Sequence, residues 1–337
     1  MLAECTVSGS DRWCFVGESG PPPGDTSCVQ GASRMIPSAV PPVLAATDFS
    51  AAAEQAVRRA AHLARDLGAP LVLVHVHEAP VLGAVWRQLQ TWMPGVSGPE
   101  AQALEEAAQS RLLALATAVQ ADTGRPASSR LLHGRAAVAV AEAAASCAAQ
   151  LVVIGARGEH GLAEAVLGST AERLLHSVAC DLLLVREYGG RDYARMLLPT
   201  DLGPESREAV RRMRRLLPKV DSVLLHAYEL PYENKLAYAG VEAARLEDLH
   251  RRAQAELQLA LQALAREVGH SDLPGVCKVM HGYAPAVIAA QADALGVDLI
   301  ALSAGSRSAL ERVVLGSVCL HLALESPCDL WLVRAPA

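Results

Sequence analysis

The chain has 337 residues, enough for two domains that each bury a core, with 51% hydrophobic but only 4% aromatic residues, so Ala, Leu and Val must build the interior. A formal net charge of -6 excludes a global attraction to nucleic acid or acidic membrane. No apolar run approaches the roughly 20 residues that span a bilayer, and the N-terminus has no charged-then-apolar signal pattern, so a cytoplasmic location is expected.

Residues 1–40 contain a Gly-Pro-Pro-Pro-Gly stretch and no periodic apolar pattern, which predicts a disordered leader, with Met35 as an alternative start. Val43–Ala46 predicts the first buried strand, followed by Thr47-Asp48-Phe49-Ser50 and a helix that Ser50 caps and Gly68 ends. Leu71–Val76 predicts a second strand, 79–99 a long connection and roughly 100–121 a helix. Arg130–His133 closes a third strand and Arg135–Cys147 forms a third helix. Leu151–Ile154 is a fourth strand, Gly168-Ser169 opens a fourth helix that runs into His176, and Leu182–Val185 is a fifth strand. This alternation predicts a parallel sheet with helices on both faces.

The pattern then repeats. Asp48 corresponds to Asp201, His75 to His226, His133-Gly134 to His281-Gly282, Gly168-Ser169 to Gly316-Ser317 and Cys180-Asp181-Leu182 to Cys328-Asp329-Leu330, at a constant offset of 148 residues from His133 onward. The expected division is a leader over 1–40, one domain over 41–188 and a second over 192–337, with Tyr188-Gly189-Gly190-Arg191 between them.

Chemistry concentrates behind Leu151–Ile154, where Gly155-x-x-Gly158 is followed after nine residues by Gly168-Ser169 at a helix start. Glycines let a backbone approach an anion, and a helix start offers unpaired N–H groups at the positive end of the helix dipole. Ser169-x-x-Glu172 also has the form of a capping box, which by itself accounts for Ser169.

This Gly-x-x-Gly-x9-Gly-Ser arrangement between two apolar strands resembles the nucleotide-binding signature of the universal stress protein A family. The resemblance implies two tandem doubly wound five-stranded α/β domains, Rossmann-like and related by a pseudo-two-fold axis, with Leu182–Val185 and Leu330–Val333 pairing across it. It further implies ATP, with or without Mg²⁺, at the carboxyl ends of the strands. Carried over by position, Asp48 contacts the nucleoside, with Ala46 and Thr47 before it. Val76 and Ile154 line the adenine pocket. Gly155, Arg157, Gly158, Gly168, Ser169 and Thr170 surround ribose and phosphates. Each has a structural alternative: Asp48 supports the turn before the first helix, and Val76 and Ile154 belong to the core.

The expected function is regulatory, an ATP-binding tandem stress protein whose nucleotide alters conformation or partner choice. The alternatives are a slow ATPase or adenylate-transferring enzyme and a nucleotide-free scaffold. The expected partners are the nucleotide and the other domain of the chain, with a homodimer left open, and neither nucleic acid nor membrane. No catalytic set is identified, and His75, His133, His226 and His281 are expected to be structural. The eight cysteines show no Cys-x-x-Cys pair or metal-ligand spacing with histidines, so no metal site is expected. Cys147, Cys180, Cys277, Cys319 and Cys328 are expected as small buried hydrophobes, and Arg211, Arg212, Arg214 and Arg215 as the solvated face of one helix. Ser303 and Ser306 stand where the first half has Gly155 and Gly158, so the first half is expected to hold the competent site.

Overall fold

Apolar strands such as LVLVHVH and DLLLV need cover on both faces, and the helices between them supply it. The computed structural model describes residues 40–77, 99–157, 167–233, 235, 239, 241–269, 276–305 and 316–334. The expected leader and most of the expected 79–99 connection lie outside these residues.

The first repeat runs β1 (Val43–Ala46), α1 (Ala51–Asp66), β2 (Leu71–His77), α2 (Pro99–Thr123), β3 (Ala127–His133), α3 (Ala136–Ser146), β4 (Leu151–Gly155), α4 (Ser169–Ser177), β5 (Asp181–Val185). The second runs β6 (Arg195–Pro199), α5 (Pro204–Leu216), β7 (Asp221–Tyr228), α6 (Ala243–Glu267), β8 (Cys277–His281), α7 (Ala284–Leu295), β9 (Leu299–Ser303), α8 (Ser317–Glu325), β10 (Asp329–Val333). Ser50 caps α1 as expected, its Oγ accepting the Ala53 N–H at 3.2 Å. Gly68 follows that helix at φ +65°, a conformation that glycine adopts without strain.

All ten strands form one sheet in the order β3-β2-β1-β4-β5-β10-β9-β6-β7-β8. Pairing is parallel within each repeat and antiparallel at β5–β10, where Leu183 faces Trp331 and Leu182 faces Leu332. These pairs are related by the sequence repeat itself, so a local two-fold passes through the Leu183–Trp331 pair. The pairing also covers two fully buried strands that would otherwise be sticky edges. Side chains alternate across the sheet into two cores, each continuous through both repeats. Val43, Ala45, Leu183 and Trp331 face α1, α2, α5 and α6, while Leu44, Leu182, Leu184 and Leu330 face α3, α4, α7 and α8.

Two features of the structure depart from the sequence expectations. The four-arginine cluster of α5 is not simply a solvated face: Arg212 reaches Asp181 at 3.1 Å in the other repeat, and Arg214 donates to the Val220 carbonyl at 3.1 Å. Helical spacing puts arginines 211, 212, 214 and 215 on different faces, and the one aimed at the seam meets a buried carboxylate there. Of the five cysteines, only Cys319 is fully buried, the others being half-buried. Burial still pushes the Cys180 and Cys328 thiols up to about 12 and Cys319 to about 11.

Candidate functional site

The strand order reverses between β1 and β4: the chain moves outward from β1 to β2 and β3, then returns to β4 on the other side of β1. Ligands of open parallel sheets occupy the crevice that such a reversal opens at the carboxyl ends of the strands. In the first repeat this crevice has a volume of about 540 Å³, within the range of small-molecule sites.

Ten of the sequence-predicted residues line it together: Ala46, Thr47 and Asp48 behind β1, Val76 on β2, Ile154, Gly155 and Arg157 at β4, and Gly168, Ser169 and Thr170 at the start of α4. Gly158 lies outside the described residues. Sequence reading missed Ala136 and Val140 of α3, as well as Leu167, which give the crevice an apolar wall. Nothing polar marks them, and only the topology carries α3 to this end of the sheet.

The turn after β1 is built locally. Thr47 N donates to the Val74 carbonyl at 2.9 Å, its Oγ1 accepts the Phe49 N–H at 3.0 Å, and Asp48 Oδ1 accepts the Ser50 N–H at 3.0 Å. Phe49 is held at φ 64°, and its counterpart Leu202 at φ 63°, so both repeats hold a left-handed residue that costs roughly 1–2 kcal/mol. His75 Nδ1 lies 2.8 Å from the Thr47 carbonyl, and His226 repeats this contact with Thr200 at 2.8 Å. Both histidines therefore buttress the turn, as expected for structural residues.

Gly155 ends β4 under close approach. A Cβ there would sit 3.0 Å from the Arg157 carbonyl oxygen and 3.2 Å from the backbone of Ala52 in α1. The residue must be small for the strand end to fit beneath that helix, whatever fills the crevice.

At α4 the capping-box reading of Ser169 is overturned. Gly168 is the N-cap, at φ -63° and ψ 141°, and no side chain caps the helix. Ser169 is already the first helical residue, one position too late for its hydroxyl to cap. Helical geometry leaves the N–H groups of Ser169, Thr170 and Ala171 without intrahelical acceptors, and all three residues line the crevice. The positive end of the α4 dipole thus faces the same space as the apolar wall.

The second repeat keeps the turn and alters its chemistry. Asp201 Oδ1 accepts the Gly203 N–H at 2.8 Å and also the hydroxyl of Ser206, which stands where the first repeat has Ala53. Burial raises the Asp201 carboxyl, but hydrogen bonds from Ser206 and Gly203 outweigh it and hold the group below its usual range. Ser303 replaces Gly155 and accepts the Gly305 N–H at 3.3 Å; Ser306 lies outside the described residues.

Among the described residues no helix is long and apolar enough to cross a membrane. The model of the universal stress protein family matches the chain twice, over residues 40–186 and 192–334. Universal stress protein A homolog 1 of Coxiella burnetii is 32% identical over 145 residues, which make up 42% of this chain and 94% of that protein. The crystal structure of a universal stress protein from Archaeoglobus fulgidus superposes with a TM-score of 0.62 at 14% identity, covering 87% of this chain and 97% of that one. A functionally unknown protein from Pseudomonas aeruginosa PAO1 gives 0.58 at 14% identity, covering 88% and 93%. At such identities the two structures bear on the fold alone.

Proposed function

Since the chain belongs to the universal stress protein family, we propose that its first repeat binds ATP and that the bound nucleotide regulates how the two repeats, or the chain and a partner, fit together. The observation that carries this reading is the convergence of three β-strand ends, an apolar wall and the uncapped start of α4 on one crevice. Val76, Val140, Ile154 and Leu167 offer a dry slot for a flat base. Asp48, exposed at the mouth, suits the ribose hydroxyls as an acceptor. The N–H groups at the start of α4 and Arg157, which lines the same crevice, suit the phosphates. Mg²⁺, where present, would travel with the phosphates rather than occupy a site of its own.

Regulation follows from where the crevice lies. Ala156 N donates to the Val185 carbonyl at 2.8 Å, and the next residue after β5, Arg186, donates to Asp329 of the other repeat. A ligand that reshapes the loop after β4 therefore acts one residue away from the seam. In the second repeat, Ser206 engages the equivalent aspartate and Ser303 replaces the glycine, so the first repeat is the competent one in this reading.

Ser169→Asp tests the proposal sharply. An acidic residue in the first turn favours the helix dipole, so the fold should lose no stability, while its charge repels phosphate. Binding of ATP to the full chain should weaken at least about tenfold with an unchanged melting temperature. Equal ATP affinity in the variant and the parent would refute the proposed phosphate position. Following ADP formation in the same samples separates a binding protein from an ATPase.

A further inference from the structure

A cluster in the second repeat is unrelated to the crevice: Glu233, His250 and His281 bring one carboxylate and two imidazoles together at the carboxyl ends of β7 and β8. Glu233 Oε1 lies 3.0 Å from His250 Nε2 and Glu233 Oε2 lies 2.9 Å from His281 Nε2. The two imidazole rings stand edge to face with centroids 4.4 Å apart. The three groups come from three separate elements: the turn after β7, the second turn of α6 and the last residue of β8.

The geometry points to a binding site for a divalent first-row transition cation, Zn²⁺ in its simplest form, held by Glu233, His250 Nε2 and His281 Nε2. The candidate ligand atoms all lie within 4.8 Å of one another. Tetrahedral zinc with bonds of about 2.0–2.1 Å needs ligand atoms roughly 3.4 Å apart. The two nitrogen–oxygen contacts run to different oxygens of Glu233 and are each a few tenths of an ångström shorter than that, so side-chain rotations must turn both nitrogens toward one cation beside a single carboxylate oxygen. Two nitrogens and one carboxylate oxygen are the donor set of zinc sites that keep a coordination position open for water. Exposure of the ligand side chains (Glu233 31%, His250 24%, His281 42%) leaves that position accessible.

A second layer is present on one ligand. Tyr228 Oη lies 3.4 Å from His250 Nδ1. The hydroxyl can accept an Nδ1–H from His250 when a cation takes the place of the Nε2 proton, the usual arrangement of metal-bound histidine. Among the described residues the first repeat shows no such set. His77 stands in place of Tyr228, and His133, the counterpart of His281, lies 3.4 Å from Glu105 and edge-on to His77 with ring centroids 6.1 Å apart. Among the described residues, the Glu233 cluster is the one group of three such ligands. The inference does not depend on nucleotide binding in the first repeat.

The test is titration of the chelator-treated full chain with Zn²⁺ by calorimetry and with Co²⁺ by visible absorption. One equivalent should bind. Glu233→Gln, His250→Ala and His281→Ala should each weaken it at least tenfold, and Glu105→Gln should leave it unchanged. Co²⁺ should give the d–d bands of a nitrogen and oxygen site, without the thiolate charge-transfer band that binding to any of the eight cysteines would produce. Glu233→Gln keeps the shape of the side chain, so it decides the matter even if a histidine variant misfolds. The absence of stoichiometric uptake, a thiolate spectrum, or affinity unchanged in Glu233→Gln would overturn the assignment.

Discussion

Asp181 and Asp329, 148 residues apart, each accept the backbone N–H of an arginine in the opposite repeat: Arg334 N donates to Asp181 at 2.9 Å and Arg186 N donates to Asp329 at 2.8 Å. The correspondence extends outward. Arg212 of α5 pairs with Asp181 at 3.1 Å, and its counterpart Arg59 of α1 pairs with Asp329 at 3.3 Å. Arg334 donates to the Leu175 carbonyl, and Arg186 to the equivalent carbonyl of Ala323, both at 2.5 Å. The seam is therefore a self-complementary polar frame around an apolar strand pair, as an isologous interface requires. It departs from symmetry at two donors: Trp331 Nε1 reaches Asp181 at 3.1 Å, whereas Tyr193, just before β6, reaches Asp329 at 2.6 Å.

The two aspartates should differ in what their removal costs. Asp329→Ala strands Arg59, only 6% exposed and stacked 3.9 Å over the Tyr193 ring, whereas Asp181→Ala strands Arg212, which is 23% exposed and can turn to water. Asp329→Ala should lose about 3–5 kcal/mol and Asp181→Ala distinctly less. Urea denaturation of both variants measures the difference, and equal losses would contradict it. Replacing Arg59 and Asp329 together by apolar residues should recover much of the loss.

Most of the fold was legible because apolar runs of four to seven residues alternated with helical periodicity, and because the repeat fixed the register of each half against the other. The seam pairing followed from the family resemblance and from the apolar character of Leu182–Val185. Its polar frame did not, since Arg59 and Arg212 look like surface residues until the fold brings each to a buried carboxylate of the opposite repeat. The crevice was legible at its glycines and serine and hidden at Ala136 and Val140, whose residue types fit any helix. Ser169 was misread because a capping box is defined by spacing, and the helix begins one residue earlier than that spacing assumes. The Glu233 cluster was hidden for a similar reason: its members are 17 and 31 residues apart in sequence, and no local motif joins them.

The buried thiols set an alkaline limit. Burial raises Cys180 and Cys328 to about 12 and Cys319 to about 11. The unfolded chain ionises its thiols near 8.5. The folded state holds these protons more tightly, so their contribution to stability is fully present below about pH 8.5 and is lost as pH rises toward the folded values. Stability measured in urea should fall between pH 9 and pH 11, and a Cys180→Ala/Cys319→Ala/Cys328→Ala variant should show a shallower fall. At pH 8 the three thiols should also resist iodoacetamide until the protein is denatured. Rapid native alkylation of any of them would contradict the burial argument.

Gly155→Ala isolates the close approach of β4 to α1. Its added Cβ meets backbone atoms at 3.0–3.2 Å, and neither Arg157 nor Ala52 can yield by rotating a side chain. A loss of about 1–3 kcal/mol in urea denaturation is expected, together with weaker ATP binding as the loop after β4 shifts. A fully stable variant would mean that the strand end moves without resistance.

Calorimetric titration of the full chain with ATP measures both the existence of the nucleotide site and the inequality of the repeats. The predicted result is saturation at one ATP per chain, with binding weakened by Ser169→Asp and unaffected by Ser317→Asp, the same change at the matching position of α8. Two equivalent sites per chain, no heat of binding, or equal sensitivity to the two substitutions would contradict the assignment of a single competent crevice to the first repeat.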